Sequence, residues 1–142
     1  ADGVDIFIGD QADAEFWAET LAQLPPLNVV IDDGGHKSHQ QIASFESILP
    51  TMAPGGVYLC EDLHQRENGF VQYLMALSDH LNAGQISRRT SPPGTTSPTS
   101  GTAKWIASIH FYPYMAVVQR TSSPPENWVS EKHGTQWEPF LQ

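Results

Sequence analysis

Two short acidic segments hold the side chains best able to do chemistry. Ile31-Asp32-Asp33-Gly34-Gly35-His36 follows an apolar run, and Glu61-Asp62 follows another, with Glu61 28 residues after Asp33. That interval is about one strand-helix-strand unit, so the two segments can end neighbouring strands. Asp32, Asp33, Glu61 and Asp62 would then share one mouth. Carboxylates gathered in this way repel one another unless a cation neutralises them. Mg²⁺ or Ca²⁺ suits such oxygen donors better than zinc, for which more His or Cys ligands are expected. His36 lies where the chain turns from strand to helix, and a neutral imidazole there can take a proton near neutrality. The bland alternative is that the acids cap the following helix and Gly34-Gly35 only permits a tight turn. Two clusters at consecutive strand ends favour a site over that alternative. His39, His64, His80, His110 and His133 read as surface or packing residues, although His64 is close enough to the second cluster to line a pocket.

The elements that must position these residues alternate. Val4 to Asp10 is a short apolar run closed by Gly-Asp, the pattern of a strand. Asp13 can cap a helix with Phe16, Trp17, Thr20, Leu21 and Leu24 at helical spacing, stopped by Pro25-Pro26. Leu27 to Ile31 is apolar on both faces, as an interior parallel strand should be. Ile42, Phe45, Ile48, Leu49 and Met52 mark a helix from about Ser38 to Met52, and Pro54-Gly55-Gly56 ends it. Val57 to Cys60 is the next buried strand. Phe70, Tyr73, Leu74, Leu77 and Leu81 mark a third helix. Trp105 to Tyr112 and Met115 to Arg120, joined at Pro113-Tyr114, read as an antiparallel hairpin. Residues 87–102 contain no aliphatic or aromatic side chain and predict a mobile loop. Residues 121–142 have no clear period and form a tail after a domain spanning 1–120. Alternating strands and helices predict a three-layer α/β domain with a mostly parallel sheet, whose ligands bind beyond the strands' carboxyl ends.

Composition narrows the functional classes. The 142 residues suit one domain, and 16 acidic against seven basic side chains leave a net charge of -9, which disfavours nucleic acid. No apolar run approaches the roughly 20 residues that cross a bilayer, so no membrane partner is expected. The lone Cys60 cannot form an intrachain disulfide. With no basic-then-apolar leader before the first apolar run, a cytoplasmic location is expected.

Taken together, Ile31-Asp32-Asp33-Gly34-Gly35-His36, His39, Phe45, Leu49, Pro54-Gly55-Gly56-Val57-Tyr58 and Glu61-Asp62 resemble the metal-dependent class I S-adenosylmethionine O-methyltransferases of the macrolide-sugar (macrocin/mycinamicin) type. Ile8-Gly9-Asp10-Gln11 and Ser108-Ile109-His110-Phe111-Tyr112 extend the resemblance over about residues 4–120. It implies a Rossmann-like methyltransferase sheet with a C-terminal antiparallel hairpin. It implies Mg²⁺ on Asp33, Glu61 and Asp62, and His36 as general base on a substrate hydroxyl. It places Asp10 and Gln11 near the adenosine of S-adenosylmethionine, with Asp32 beside them on the cofactor side. The implied activity is methylation of a hydroxyl on a sugar or polyketide-type natural product, a small-molecule partner; the loop at 87–102 either faces that substrate or is an inert linker.

The family's strand order is 3-2-1-4-5-7-6, and its first two strands, with their glycine-rich turn, have no counterpart here. The sequence therefore reads as the carboxy-terminal part of such a domain. A missing N-terminal segment or a second copy is expected to complete the sheet. Two alternatives come from other classes. One is a non-catalytic metal-binding or scaffold domain that has lost cofactor binding. The other, a metal-dependent hydrolase, has no activated-nucleophile signature beyond the acids and His36.

Overall fold

A computed structural model describes residues 3–64, 68–82 and 101–124. The elements are α1 (Ala14–Leu21), β1 (Val29–Asp32), α2 (Ser38–Ile48), β2 (Val57–Cys60), α3 (Gly69–Asn82), β3 (Ile106–Tyr112) and β4 (Met115–Arg120). Asp13 caps α1 as its sequence predicts, its carboxylate accepting from the Glu15 N–H at 2.8 Å. The second helix ends earlier than expected. Pro50 has no N–H to continue the ladder, and Leu49–Thr51 tightens into a 3-10 turn. Asn68 starts α3 by accepting from the N–H groups of Phe70 and Val71.

The strands lie in the order β1-β2-β4-β3, the order of the family's last four strands. β1 pairs parallel with β2, with Asp32 beside Cys60, while β2-β4 and β4-β3 are antiparallel. The α/β architecture and the terminal hairpin match the expectation. Among the described residues the sheet is mixed, with one parallel pair and two antiparallel pairs, rather than mostly parallel.

Side-chain alternation sorts the sheet into two faces. Asp32, Tyr58, Cys60, Ala116 and Val118 point toward the helices, where Phe45, Leu49, Phe70, Leu74 and Leu77 complete one buried cluster. Phe45 anchors it edge-on to Tyr58 and Phe70, with ring centres 5.1 and 5.5 Å away. Val29 and Ile31 point the other way and are about 60% exposed, at 63% and 62%. The described residues thus form two of the three expected layers.

The strand expected at Val4 to Ile8 does not form. An apolar run needs a neighbour to complete a ladder, and this one pairs with no strand among the described residues, leaving Val4, Ile6 and Ile8 exposed. Most of the expected loop and the tail beyond residue 124 lie outside the described residues; Thr102, at the loop's end, is buried and accepts from the Trp105 N–H. No described helix is long and apolar enough to cross a membrane.

Candidate functional site

The two adjacent aspartates of β1 have opposite environments because consecutive strand residues face opposite ways. Asp32 points inward and is buried. Its Oδ2 accepts from the Tyr58 hydroxyl at 2.6 Å and the Ser44 hydroxyl at 2.9 Å. Its Oδ1 accepts from the Gln11 amide at 2.6 Å and the Gly34 N–H at 3.3 Å. A carboxylate so surrounded is satisfied without leaving the protein. Burial, reinforced by the Asp32 charge and hydrogen bond, pushes the Tyr58 phenol well above its ordinary range. Burial first and the Asp32 charge second push the Cys60 thiol up to about 12.

Asp33 is turned out to the rim. There the structure brings together Asp33, His36 and Asp62, whose potential ligand atoms all lie within 4.8 Å of one another. His36 Nε2 stands 3.9 Å from Asp33 Oδ1 and 3.8 Å from Asp62 Oδ2, distances too long for hydrogen bonds. His36 and Asp62 both adopt left-handed backbone conformations, with φ of 53° and 56°. Such conformations cost non-glycine residues about 1–3 kcal/mol and cluster at functional sites. Glu61 does not join the three groups. Its N–H bonds to the Asp32 carbonyl and extends the β1-β2 ladder by one residue.

A cleft of about 510 Å³ adjoins this rim between the N-terminal segment, α1 and β1. Phe7, Phe16, Trp17 and Val30 supply apolar wall, and Gln11, Asp32, Asp33 and Gly34 line its polar end. Gln11 serves mainly as a strap, since its amide nitrogen holds Asp32 and its oxygen accepts from the Gly35 N–H at 2.7 Å. Asp10 is exposed, does not line the cleft, and its carboxylate accepts from the Ala12 N–H.

Sequence reading missed Ser44 and Tyr58 as partners of Asp32. A signal was present: Gln41 and Ser44 share the buried face of α2 with Phe45 and Ile48, and polar residues on a buried face require partners. His64, close in sequence to the second acidic segment, lies at the rim with its Nε2 2.9 Å from Asp62 Oδ1.

No protein-family model matches the chain. It is 27% identical over 139 residues to 8-demethyl-8-alpha-L-rhamnosyl tetracenomycin-C 2'-O-methyltransferase of Streptomyces olivaceus, an alignment covering 89% of this chain and 35% of that protein. A shorter stretch of 56 residues is 41% identical to demethylmacrocin O-methyltransferase of Streptomyces fradiae, covering 39% of this chain and 14% of the relative. Among solved structures, the MycE methyltransferase from the mycinamycin biosynthetic pathway, in complex with Mg, SAH and mycinamycin VI, superposes with a TM-score of 0.66 at 26% identity. That superposition covers 86% of this chain and 33% of MycE. The chain thus spans at most about a third of the length of these relatives. In sequence and in fold, it is similar to the O-methyltransferases of macrolide and tetracenomycin sugars, carrying the part of their Rossmann-like domain that ends in the antiparallel hairpin.

Proposed function

We propose that this chain is the carboxy-terminal part of a Mg²⁺-dependent, S-adenosylmethionine-dependent O-methyltransferase that methylates a hydroxyl of a sugar or polyketide-type natural product. The observation that carries the reading is the meeting of Asp33, His36 and Asp62 at the carboxyl ends of β1 and β2, beside an apolar cleft. The reading extends to this chain what the names of its relatives say of them. A purely structural or scaffold role is not favoured, because those relatives are named enzymes.

The donor set suits the proposed metal: Asp33 and Asp62 offer exposed carboxylate oxygens, which a hard divalent cation prefers. Glu61 is the third proposed ligand, next in sequence to Asp62. When bound, the cofactor supplies a methyl group already activated on a sulfonium, and the metal supplies positive charge at the acceptor oxygens. His36 would be the general base: its Nε2 stands at the same rim and would take the proton of the acceptor hydroxyl. The apolar walls of the cleft exclude water and orient the cofactor, with Gln11 and Asp32 at its polar end and Asp10 outside it. Cationic cofactor and metal both suit a chain of net charge -9. Further strands, from an N-terminal segment or a second copy, would pair beyond β1 and with the Val4 to Ile8 run, and a helical layer carried with them would cover Val29 and Ile31. Residues 1–120 would form the partial domain and 121–142 its tail.

The test is methyl transfer by the whole protein from isotope-labelled S-adenosylmethionine to glycosylated macrolide or tetracenomycin acceptors. EDTA should abolish turnover and added Mg²⁺ restore it. His36→Ala should lower kcat about 100-fold or more, the usual range for a lost general base. Turnover unchanged by EDTA, or full activity in His36→Ala, would overturn the reading.

A further inference from the structure

We infer that His64 is a positioning residue that sets the rotation of the Asp62 carboxylate, held in place by Tyr114 at the β3-β4 turn; this rests on the metal site proposed above. A carboxylate has two oxygens, and Asp62 uses them differently. Oδ1 lies 2.9 Å from His64 Nε2, while Oδ2 faces His36 and Asp33, 3.8 Å from His36 Nε2. At this distance His64 is the partner able to donate, because a carboxylate oxygen only accepts. Occupying Oδ1 leaves Oδ2 as the oxygen presented to the cluster.

The ring of His64 is itself fixed. It lies against Tyr114, with centroids 5.0 Å apart and planes tilted by 47°. The backbone locks the same pair of segments together, since the Leu63 N–H donates to the Tyr114 carbonyl at 3.0 Å. The His64 N–H bonds to the Asp62 carbonyl at 2.9 Å, closing a tight turn around Leu63. Asp62 and Tyr114, on the two sides of this contact, both have positive φ, 56° and 62°. The hairpin tip is therefore built against the rim, and its link to the site runs through one imidazole. Partners that orient a metal-binding group in this way typically change metal affinity about 10–100-fold when removed.

The experiment is calorimetric titration of Mg²⁺ alone into the whole protein and its variants. His64→Ala should weaken binding about tenfold, whereas His64→Gln, whose amide nitrogen can stand where Nε2 does, should stay within about threefold of wild type. Tyr114→Phe should retain wild-type affinity, and thermal midpoints of all variants should agree with wild type, which separates positioning from folding. Wild-type affinity in His64→Ala would overturn the inference, as would a His64→Gln variant as weak as His64→Ala. Asp33→Asn, titrated alongside, separates the two levels. Binding lost in Asp33→Asn but intact in His64→Ala removes only the positioning role. Wild-type protein that binds no Mg²⁺, or binding intact in Asp33→Asn, removes the metal site and this inference with it.

Discussion

Replacing Tyr58 by Phe removes one hydroxyl and leaves the ring's packing on Phe45 in place. That hydroxyl donates to Asp32 Oδ2 at 2.6 Å and lies 3.1 Å from the Ser44 hydroxyl. A hydrogen bond to a charged group contributes about 1.5–3 kcal/mol. Asp32 is not orphaned, because Ser44 and Gln11 still donate to it at 2.9 and 2.6 Å. The expected loss is therefore about 2 kcal/mol, near the middle of that range. It should not reach the about 3–5 kcal/mol that follows removal of a buried ion's only partner. Urea unfolding followed by circular dichroism measures it: with slopes of about 1–3 kcal/mol per molar, the midpoint should fall by roughly 1 M with the slope unchanged. Ser44→Ala in the same background should be non-additive by at least about 0.5 kcal/mol, since both hydroxyls serve one carboxylate oxygen. A loss below about 0.5 kcal/mol, or simple additivity, would refute the view of Asp32 as the hub that holds the β1 terminus.

Other perturbations probe different parts of the molecule. Asp32→Ala leaves the Tyr58, Ser44 and Gln11 donors facing a void and should unfold the chain at far lower urea than Tyr58→Phe, read in the same assay. Gly56→Ala would place a Cβ 2.9 Å from the Ala53 carbonyl oxygen and 3.1 Å from that of Leu27, both rigid backbone, and should cost about 1–3 kcal/mol by urea unfolding. Cys60, with its thiol pushed up to about 12, should resist alkylation at pH 8 in the folded chain and react at once in denaturant. Its native proton is held more tightly than the unfolded one, so its contribution to stability is complete below about pH 8.5, the ordinary thiol value, and shrinks as pH rises toward 12. Thermal midpoints measured across that alkaline window should fall less in Cys60→Ala than in wild type.

The sequence by itself determined the helices and all four paired strands, two of them as the hairpin, because apolar periodicity and stop residues such as Pro25-Pro26 and Pro54-Gly55-Gly56 are local signals. It also placed Asp33, His36 and Asp62 at strand ends, since ends follow from where apolar runs stop. Tertiary structure decided what each acid does. Asp32 and Asp33 are identical in type and adjacent, and only the sheet's orientation makes one a buried hub and turns the other out to the rim. Glu61 looked equivalent to Asp62, yet Glu61 continues the ladder while the left-handed turn at Asp62 swings its carboxylate toward His36. Val4 to Ile8 has strand composition and no strand, because a ladder is a property of two segments and local pattern describes one. His64 acquires a role only when the hairpin brings Tyr114 against it, a contact across 50 residues that no spacing rule encodes.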